Sequence, residues 1–289
     1  SASKLYSPAI IGSANNSVVK IQPPFKDVRD VVEEQGPEEI EKSTKNIQAE
    51  EEFNDKFSEV YFNIWDNRPI QQITKMDEEK WIRELIKSDD KVLLIGSGGG
   101  REIECLLDIG ANITAMDIST RMLEIGAKRY PKENIEWLHA DAQRPPESLR
   151  DFDHALGLGL TFCYLSNPEL ALSNLRDTLK VGGSLTLGVA NGEHFTELDP
   201  RRYLSSGRVR FVYSVEEMKV MLQRAGYQIT EVKGNRFFID ALPIHWTNRE
   251  SASAEQSNLV NKFAGLEIEF SNKLEPELAK QLWISARAI

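Results

Sequence analysis

The stretch VLLIGSGGG, residues 92–100, directs the interpretation of the whole chain. Its four apolar residues predict a short strand buried on both faces, and four glycines lie among the next five residues. Glycine adopts positive φ and lets a ligand approach the backbone, and a helix predicted over 102–107 would turn free N–H groups toward that ligand. We therefore expect a ligand with an anionic group at the carboxyl end of this strand.

An acid follows the next predicted strand. Residues 113–116 form that strand, which ends at Asp117, 21 residues beyond Gly96. A carboxylate at this spacing is placed to accept hydrogen bonds from both hydroxyls of a ribose, and the alternative is that it caps the following helix. The loop and the acid together predict a site for an adenosine-type ligand. They do not separate a nicotinamide-dependent oxidoreductase from a methyl-transfer enzyme.

Strands and helices alternate through the rest of the chain, which predicts crossover units, a doubly wound, mostly parallel sheet and right-handed connections. The last strand lacks a clear crossover and is free to run antiparallel. Ser119 and Ser214 are each expected to cap a helix, and Pro168 is expected to lie in the first turn of another. The further strands are predicted at 135–138, 152–158, 184–189, 228–232 and 282–288, and the further helices at 119–129, 167–179, 214–224 and about 255–264.

Three more segments favour methyl transfer: LHADA at 138–142, GLGLTF at 157–162 and the Val-Gly-Gly turn at 181–183. With these segments, residues 90–235 and the closing strand 282–288 resemble the class I S-adenosylmethionine-dependent methyltransferases. The resemblance implies a Rossmann-like α/β fold with a seven-stranded sheet whose last strand is antiparallel. It also implies S-adenosylmethionine as cofactor and S-adenosylhomocysteine as product. The cofactor-binding residues that it implies are Gly96, Ser97, Gly98, Gly100, Asp117, Ile118, Met122, Asp141, Ala142, Gly159 and Tyr61.

One position departs from the family pattern. The family often has an acid two residues before the first glycine, where it helps to organise the methionine end of the cofactor, and here that position is Leu94. Glu102 or the N-terminal helices could compensate.

The acceptor is expected where the loops leave the fourth and fifth strands. Methyl transfer is an in-line displacement that needs alignment and exclusion of water, and a general base helps when the nucleophile carries a proton. His194, with Glu193 as the alternative, is our candidate base, while Phe162, Tyr164, Arg201 and Tyr203 are candidate acceptor contacts. We expect O-, N- or C-methylation of a small molecule, a class that includes secondary metabolites. We also expect two insertions, 192–213 and 240–275, to cover the site.

The N-terminal part differs in composition. Residues 1–50 are expected to form an arm with charged helices, residues 51–90 a helical cap over the cofactor, and residues 91–289 the methyltransferase domain. Apolar residues with helical spacing, including Tyr61 and Trp65, precede a break at 67–69, and a further helix is expected over about 76–87. These N-terminal helices could also pair two subunits into a homodimer.

Composition excludes several other classes. The 289 residues carry a net charge of −10, which disfavours nucleic acid and anionic membranes as partners. No apolar run approaches the ~20 residues of a membrane helix. The two cysteines and the absence of a zinc-ligand spacing argue against a disulfide scaffold and a metal site and favour the cytoplasm. A nicotinamide oxidoreductase and a non-catalytic interaction protein with the cofactor fold remain as alternatives.

Overall fold

A computed structural model describes residues 37–67, 69–131, 133–195, 201–203, 209–238, 254–271 and 273–289. The chain divides into two units, residues 1–40 and residues 41–289. The described helices are α1 Pro37–Phe57, α2 Tyr61–Asn67, α3 Pro69–Leu85, α4 Ile103–Ile109, α5 Thr120–Arg129, α6 Pro168–Thr178, α7 Val215–Arg224 and α8 Ala254–Phe270. The described strands are β1 Lys91–Ile95, β2 Asn112–Asp117, β3 Ile135–His139, β4 Phe152–Gly157, β5 Leu179–Ala190, β6 Arg201–Tyr203, β7 Val209–Phe211, β8 Tyr227–Asn235 and β9 Gln281–Ala288.

A seven-stranded sheet carries the fold, in the order β3-β2-β1-β4-β5-β9-β8. Strands β1 to β5 run parallel, and β9 runs antiparallel between β5 and β8. This confirms the predicted doubly wound sheet and its antiparallel last strand. The parallel strands all end at one edge, which we call the carboxyl edge. Separately, β6 and β7 form a two-stranded antiparallel ribbon.

Alternate residues of β1 serve the two faces of the sheet, as strand geometry requires. Leu93 and Ile95 belong to a buried apolar cluster that includes residues of α6 and α7. Val92 and Leu94 belong to a second cluster that includes residues of α3 and α4. Both faces of β1 are therefore covered, which explains its uninterrupted apolar run.

The helix ends follow the local sequence. The Ser119 side chain caps α5 by accepting from the Met122 N–H at 3.1 Å. Asn167 caps α6 with Pro168 in its first turn, and Ser214 forms a reciprocal capping box with Glu217 at the start of α7. The predicted caps at Ser119 and Ser214 are confirmed.

Three predicted boundaries were wrong. Helix α3 begins at Pro69 instead of near residue 76, because proline is well tolerated in the first turn of a helix. Helix α8 continues to Phe270 instead of ending near residue 264. The expected turn at 181–183 lies inside β5, where Gly182 takes φ of 80° and the pairing of β4 with β5 shifts register.

None of the helices in the described part of the chain has the length and apolar character needed to cross a bilayer. Residues 1–36 of the predicted N-terminal arm lie outside the described residues, and so do residues 240–253 and 272 of the predicted insertion at 240–275. Helix α8 packs on α3 through a small apolar cluster that contains Ile73 and Val260.

Candidate functional site

The glycine loop, residues 96–100, connects β1 to the turn before α4 at the carboxyl edge. Gly96 has φ of 61°, and a Cβ there would overlap the side chain of Thr161, so a larger residue does not fit. The Ser97 N–H donates to the Met116 carbonyl at 3.0 Å, which ties the loop to β2. The loop is therefore a fixed turn held by its neighbour strand.

Asp117 ends β2 with its carboxylate beside the glycine loop. One carboxylate oxygen accepts from the Gly98 N–H at 2.7 Å and the other from the Ser119 N–H at 2.8 Å. The side chain is only 7% exposed, and burial raises its pKa while the backbone N–H groups oppose that shift. A carboxylate offers about four acceptor positions, so two donors leave capacity for ligand hydroxyls. The cap of α5 is Ser119, which leaves Asp117 available for another role.

Asp141 lies at the neighbouring strand end, two residues beyond β3. The Ala140 N–H donates to the Asp117 carbonyl at 3.0 Å, and the Asp141 carboxylate accepts from the Gln143 N–H at 2.9 Å. Gln143, which the sequence analysis did not select, is buried and holds the start of the loop before α6 through the Ser166 hydroxyl and the Asn167 N–H. The remaining predicted residues here are half-buried Ile118 and buried Met122 and Ala142.

Helices α1 and α2 approach the loop from outside the sheet. Tyr61, at the start of α2, is buried so close to the loop that a Cβ on Gly98 would lie 2.9 Å from its hydroxyl oxygen. On α1, Asp55 accepts from the Ser119 hydroxyl at 2.6 Å. Burial raises the pKa of Tyr61, and the carboxylates of Glu102, Asp117 and Glu78 raise it further while Arg101 lowers it. The Tyr61 phenol therefore stays neutral and in contact with the glycine loop.

A buried ionic cluster, formed by Glu78, Arg101 and Glu102, lies directly after the loop. Nη2 of Arg101 donates to Glu78 Oε1 at 2.8 Å, and its Nε donates to Glu102 Oε1 at 2.7 Å. Glu78, on α3, is 2% exposed and Arg101 is 6% exposed. Buried ion pairs of this kind are kept only where the geometry is good, because removing two charges from water is costly.

Charge is unbalanced within this cluster. Burial raises the pKa of Glu78 to about 8; the Arg101 guanidinium opposes this shift and the Glu102 and Asp77 carboxylates add to it. The Arg101 pKa is raised by the two carboxylates against its own burial. One guanidinium thus faces two carboxyl groups in a buried setting.

The sequence analysis named Glu102 but missed Glu78. Glu78 sits in an acidic run, Asp77-Glu78-Glu79, which is typical of a solvated helix face. The available signal was its spacing, because Trp81, Ile82 and Leu85 follow at intervals of three, four and seven residues on one helix face. Leu94, which stands where the family acid is expected, is 2% exposed and belongs to the same apolar cluster as Trp81 and Ile82.

The segment that leaves β4 borders the cluster. Gly159 is exposed, and a Cβ on it would lie 3.6 Å from Nη2 of Arg101. Phe162, a predicted acceptor contact, is 1% exposed and packs on Tyr213 with ring centroids 5.4 Å apart. Tyr164 is half-buried.

The candidate bases and the other two candidate acceptor contacts lie on the excursion between β5 and α7. Glu193 is exposed, and its N–H donates to the Asn191 side chain at 3.0 Å. His194 lies in a short 3₁₀ helix, Gly192–Phe195, and its side chain is outside the described residues. Arg201 and Tyr203 pair with Phe211 and Val209 in the β6–β7 ribbon, and their side chains are likewise not described.

Comparison with known proteins gives a consistent result. Residues 93–187 match the family described as the methyltransferase domain. A demethylmenaquinone methyltransferase of Tropheryma whipplei is 28% identical over 185 residues, which cover 55% of this chain and 74% of that protein. A tRNA U34 carboxymethyltransferase of Pseudoalteromonas translucida is 30% identical over 149 residues, 49% of this chain and 46% of that protein.

A solved structure shares the fold. The 1,6-didemethyltoxoflavin-N1-methyltransferase of Burkholderia thailandensis, with bound 1,6-didemethyltoxoflavin and S-adenosylhomocysteine, superposes with a TM-score of 0.52 at 15% identity. The match covers 82% of this chain and 87% of that chain. At this identity the likeness concerns the fold.

Residues 93–187 match the methyltransferase domain, and the sheet has the strand topology expected of the class I S-adenosylmethionine-dependent methyltransferases. The chain is a methyltransferase with S-adenosylmethionine as cofactor, which decides against the nicotinamide alternative. The residues at the carboxyl edge fit this cofactor. Asp117 keeps acceptor capacity beside the glycine loop, and a buried cluster with both charge signs follows that loop.

Proposed function

We propose that this enzyme transfers the methyl group of S-adenosylmethionine to an O, N or C nucleophile of a small-molecule acceptor by in-line displacement. The observation that carries the proposal is the excursion after β5. The Gly192 N–H donates to the Tyr213 carbonyl at 2.9 Å, and the Tyr213 N–H donates to the Ala190 carbonyl at 2.9 Å. These bonds hold the two ends of the excursion together at the carboxyl edge. An excursion anchored beside the candidate site would suit an enclosed acceptor and the exclusion of water.

The chain's own residues would have distinct tasks. The cofactor supplies an electrophilic methyl group on a sulfonium. We assign the ribose hydroxyls to Asp117 and the adenine amino group to Asp141, while Tyr61 and the glycine loop would keep water away from the cofactor. His194, with Glu193 as the alternative, would take the proton of an O or N nucleophile, and Tyr164, Arg201 and Tyr203 would contact the acceptor.

The small molecules named for two similar proteins support a small-molecule acceptor. The name of the Tropheryma protein refers to demethylmenaquinone, and the Burkholderia structure contains 1,6-didemethyltoxoflavin. The relative whose name refers to tRNA represents the competing class. The net charge of −10 disfavours that class, because RNA binding relies on neutralising phosphates.

A transfer assay tests the proposal. The enzyme is incubated with S-adenosylmethionine labelled in its methyl group and, in separate reactions, with quinols and phenols, amines, activated carbon acids, and bulk tRNA. We expect label in one small-molecule class and none in tRNA. Label in tRNA alone would contradict the proposal, and S-adenosylhomocysteine binding without transfer to any acceptor would favour the non-catalytic alternative.

We also propose that the N-terminal helices pair two copies of the chain. Removal of residues 1–50, followed by sedimentation, tests this. An unchanged oligomeric state would remove the idea.

A further inference from the structure

An atom without a partner draws attention to the ionic cluster. Oε2 of Glu78 is buried and, among the described residues, has no hydrogen-bond partner, although Oε1 of the same carboxyl group accepts from Arg101. A buried polar atom left unpaired costs free energy, and such atoms in native proteins commonly mark a missing ligand or a functional role. Oε2 of Glu78 therefore lacks the hydrogen-bond partner that a buried carboxyl oxygen needs.

The charges around Glu78 indicate which kind of donor. Among the largest influences on its pKa, the Arg101 guanidinium lowers it, and the Glu102 and Asp77 carboxylates raise it. When Glu78 ionises, the single guanidinium faces two carboxylates, and a positively charged donor would compensate the second one, since an uncompensated charge is costly in a buried site.

The location narrows the choice further. Arg101 follows the glycine loop immediately, and its Nη2 lies beside the exposed Gly159 in the segment that leaves β4. The same cluster acts on the phenol of Tyr61, which touches Gly98. The cluster therefore borders the cofactor site at the end away from Asp141.

We propose that Glu78 accepts a hydrogen bond from the α-ammonium group of S-adenosylmethionine and that Arg101 holds its α-carboxylate. This rests on the cofactor assignment above. In this arrangement the methionine end of the cofactor has one anionic partner, Glu78, and one cationic partner, Arg101. These two side chains are already hydrogen-bonded to each other.

This assignment accounts for the missing acid at position 94. Leu94 is committed to the apolar cluster that includes Trp81 and Ile82, and these two residues share a helix face with Glu78. Helix α3 therefore packs on Leu94 and, through Glu78, places a carboxyl group beside Arg101. In this proposal Glu78 takes the role that the family gives to an acid on the strand.

The competing explanation is a structural ion pair that only fastens α3 to the loop. The two explanations differ in what they predict for ligands. A fastening role acts on all ligands of the site alike, whereas a contact with the ammonium group acts only on ligands that carry one.

Calorimetric titration of Glu78→Gln separates the two explanations. The ligands are S-adenosylhomocysteine and 5′-methylthioadenosine, which lacks the whole aminocarboxyl end. We expect the affinity for S-adenosylhomocysteine to fall about 10-fold or more, as for lost hydrogen bonds to charged groups, and the affinity for methylthioadenosine to change less than about 2-fold. Equal losses for both ligands, or no loss for either, would overturn the proposal.

Glu79→Gln is the matched control. Glu79 neighbours Glu78 on the same helix, and its side chain pairs with Lys75 at 3.4 Å. We expect both affinities to stay at the wild-type value. Losses equal to those of Glu78→Gln would contradict a specific role for Glu78.

The unmodified protein provides a test that needs no variant. A third ligand keeps the amine and lacks the carboxylate, namely 5′-S-(3-aminopropyl)-5′-thioadenosine. We expect the affinity of the wild-type protein to rise from methylthioadenosine to the aminopropyl ligand and again to S-adenosylhomocysteine. Equal affinities for all three would refute the proposal and leave the cofactor assignment intact, whereas failure to bind any of them would overturn the cofactor assignment itself.

Discussion

The cofactor half of the carboxyl edge, formed by the ends of β1 to β3, uses short loops whose backbone groups bond to one another. The Ser97 N–H donates to the Met116 carbonyl and the Ala140 N–H to the Asp117 carbonyl, each at 3.0 Å. The proposed acceptor half, the excursion 191–213 after β5, is long in sequence, and backbone hydrogen bonds of Gly192 and Tyr213 join its two ends. Short bonded loops fix a common cofactor, whereas a long excursion can change its lining without disturbing the sheet.

The largest expected effect is a loss of activity from a substitution in the proposed acceptor half alone. His194→Ala should lower kcat by about 10²- to 10⁴-fold if His194 is the base for an O or N nucleophile, with unchanged affinity for S-adenosylhomocysteine. Steady-state kinetics with the acceptor found by the transfer assay measures this. Glu193→Gln is measured in parallel, and a loss of kcat in that variant alone would identify Glu193 as the base. Full activity of His194→Ala would show that His194 is not the base.

The next largest effect is a loss of stability from a substitution in the glycine loop of the cofactor half. Gly96→Ala should cost about 2–4 kcal/mol of unfolding free energy, because a left-handed backbone and an overlap with Thr161 act together. Gly182→Ala is the control. Gly182 also has positive φ but open space around it, so about 1–2 kcal/mol is expected. Equal losses in denaturant unfolding would show that the overlap does not matter.

A smaller effect, on ligand affinity, tests the assignment of the ribose hydroxyls to Asp117. Asp117→Ala should weaken S-adenosylhomocysteine binding by ~1–3 kcal/mol, because hydrogen bonds from the ribose to a charged acceptor are lost. Asp153→Ala is the control, since Asp153 lies at the start of β4 and accepts from Lys180 at 2.7 Å. Unchanged affinity of Asp117→Ala in calorimetry would refute the ribose assignment.

The same contrast explains what the sequence could predict. The strand, the glycine loop and Asp117 are local in sequence and set by backbone geometry, so spacing was sufficient to predict the sheet and its carboxyl edge. Glu78 could not be predicted that way, because its partner Arg101 is 23 residues away and only the packing of α3 brings them together. Gln143 was missed for the same reason, since its role depends on Ser166 and Asn167. Long-range side-chain pairs follow from packing rather than from spacing.

The smallest effect concerns pH and the ionic cluster. Burial raises the pKa of Glu78 in the folded protein to about 8, from an ordinary value of 4.5. Between these values the folded state binds more protons than the unfolded state, so this group's contribution to stability falls as pH rises from about 4.5 to 8. We expect the unfolding free energy of the wild type, measured relative to Glu78→Gln, to fall by roughly 1–3 kcal/mol over that range, the raised pKa of Asp117 and Asp77 being common to both proteins.

The ligand then decides what this pH dependence means. An ammonium group beside Glu78 would favour its ionised form, so saturating S-adenosylhomocysteine should flatten the difference between wild type and Glu78→Gln. Methylthioadenosine should leave the difference as it is in the free protein, because it brings no charge to the cluster. Chemical denaturation at several pH values with each ligand measures both. Flattening by both ligands would assign the effect to closure of the cofactor half as a whole, and flattening by neither would show that Glu78 does not meet the ammonium group.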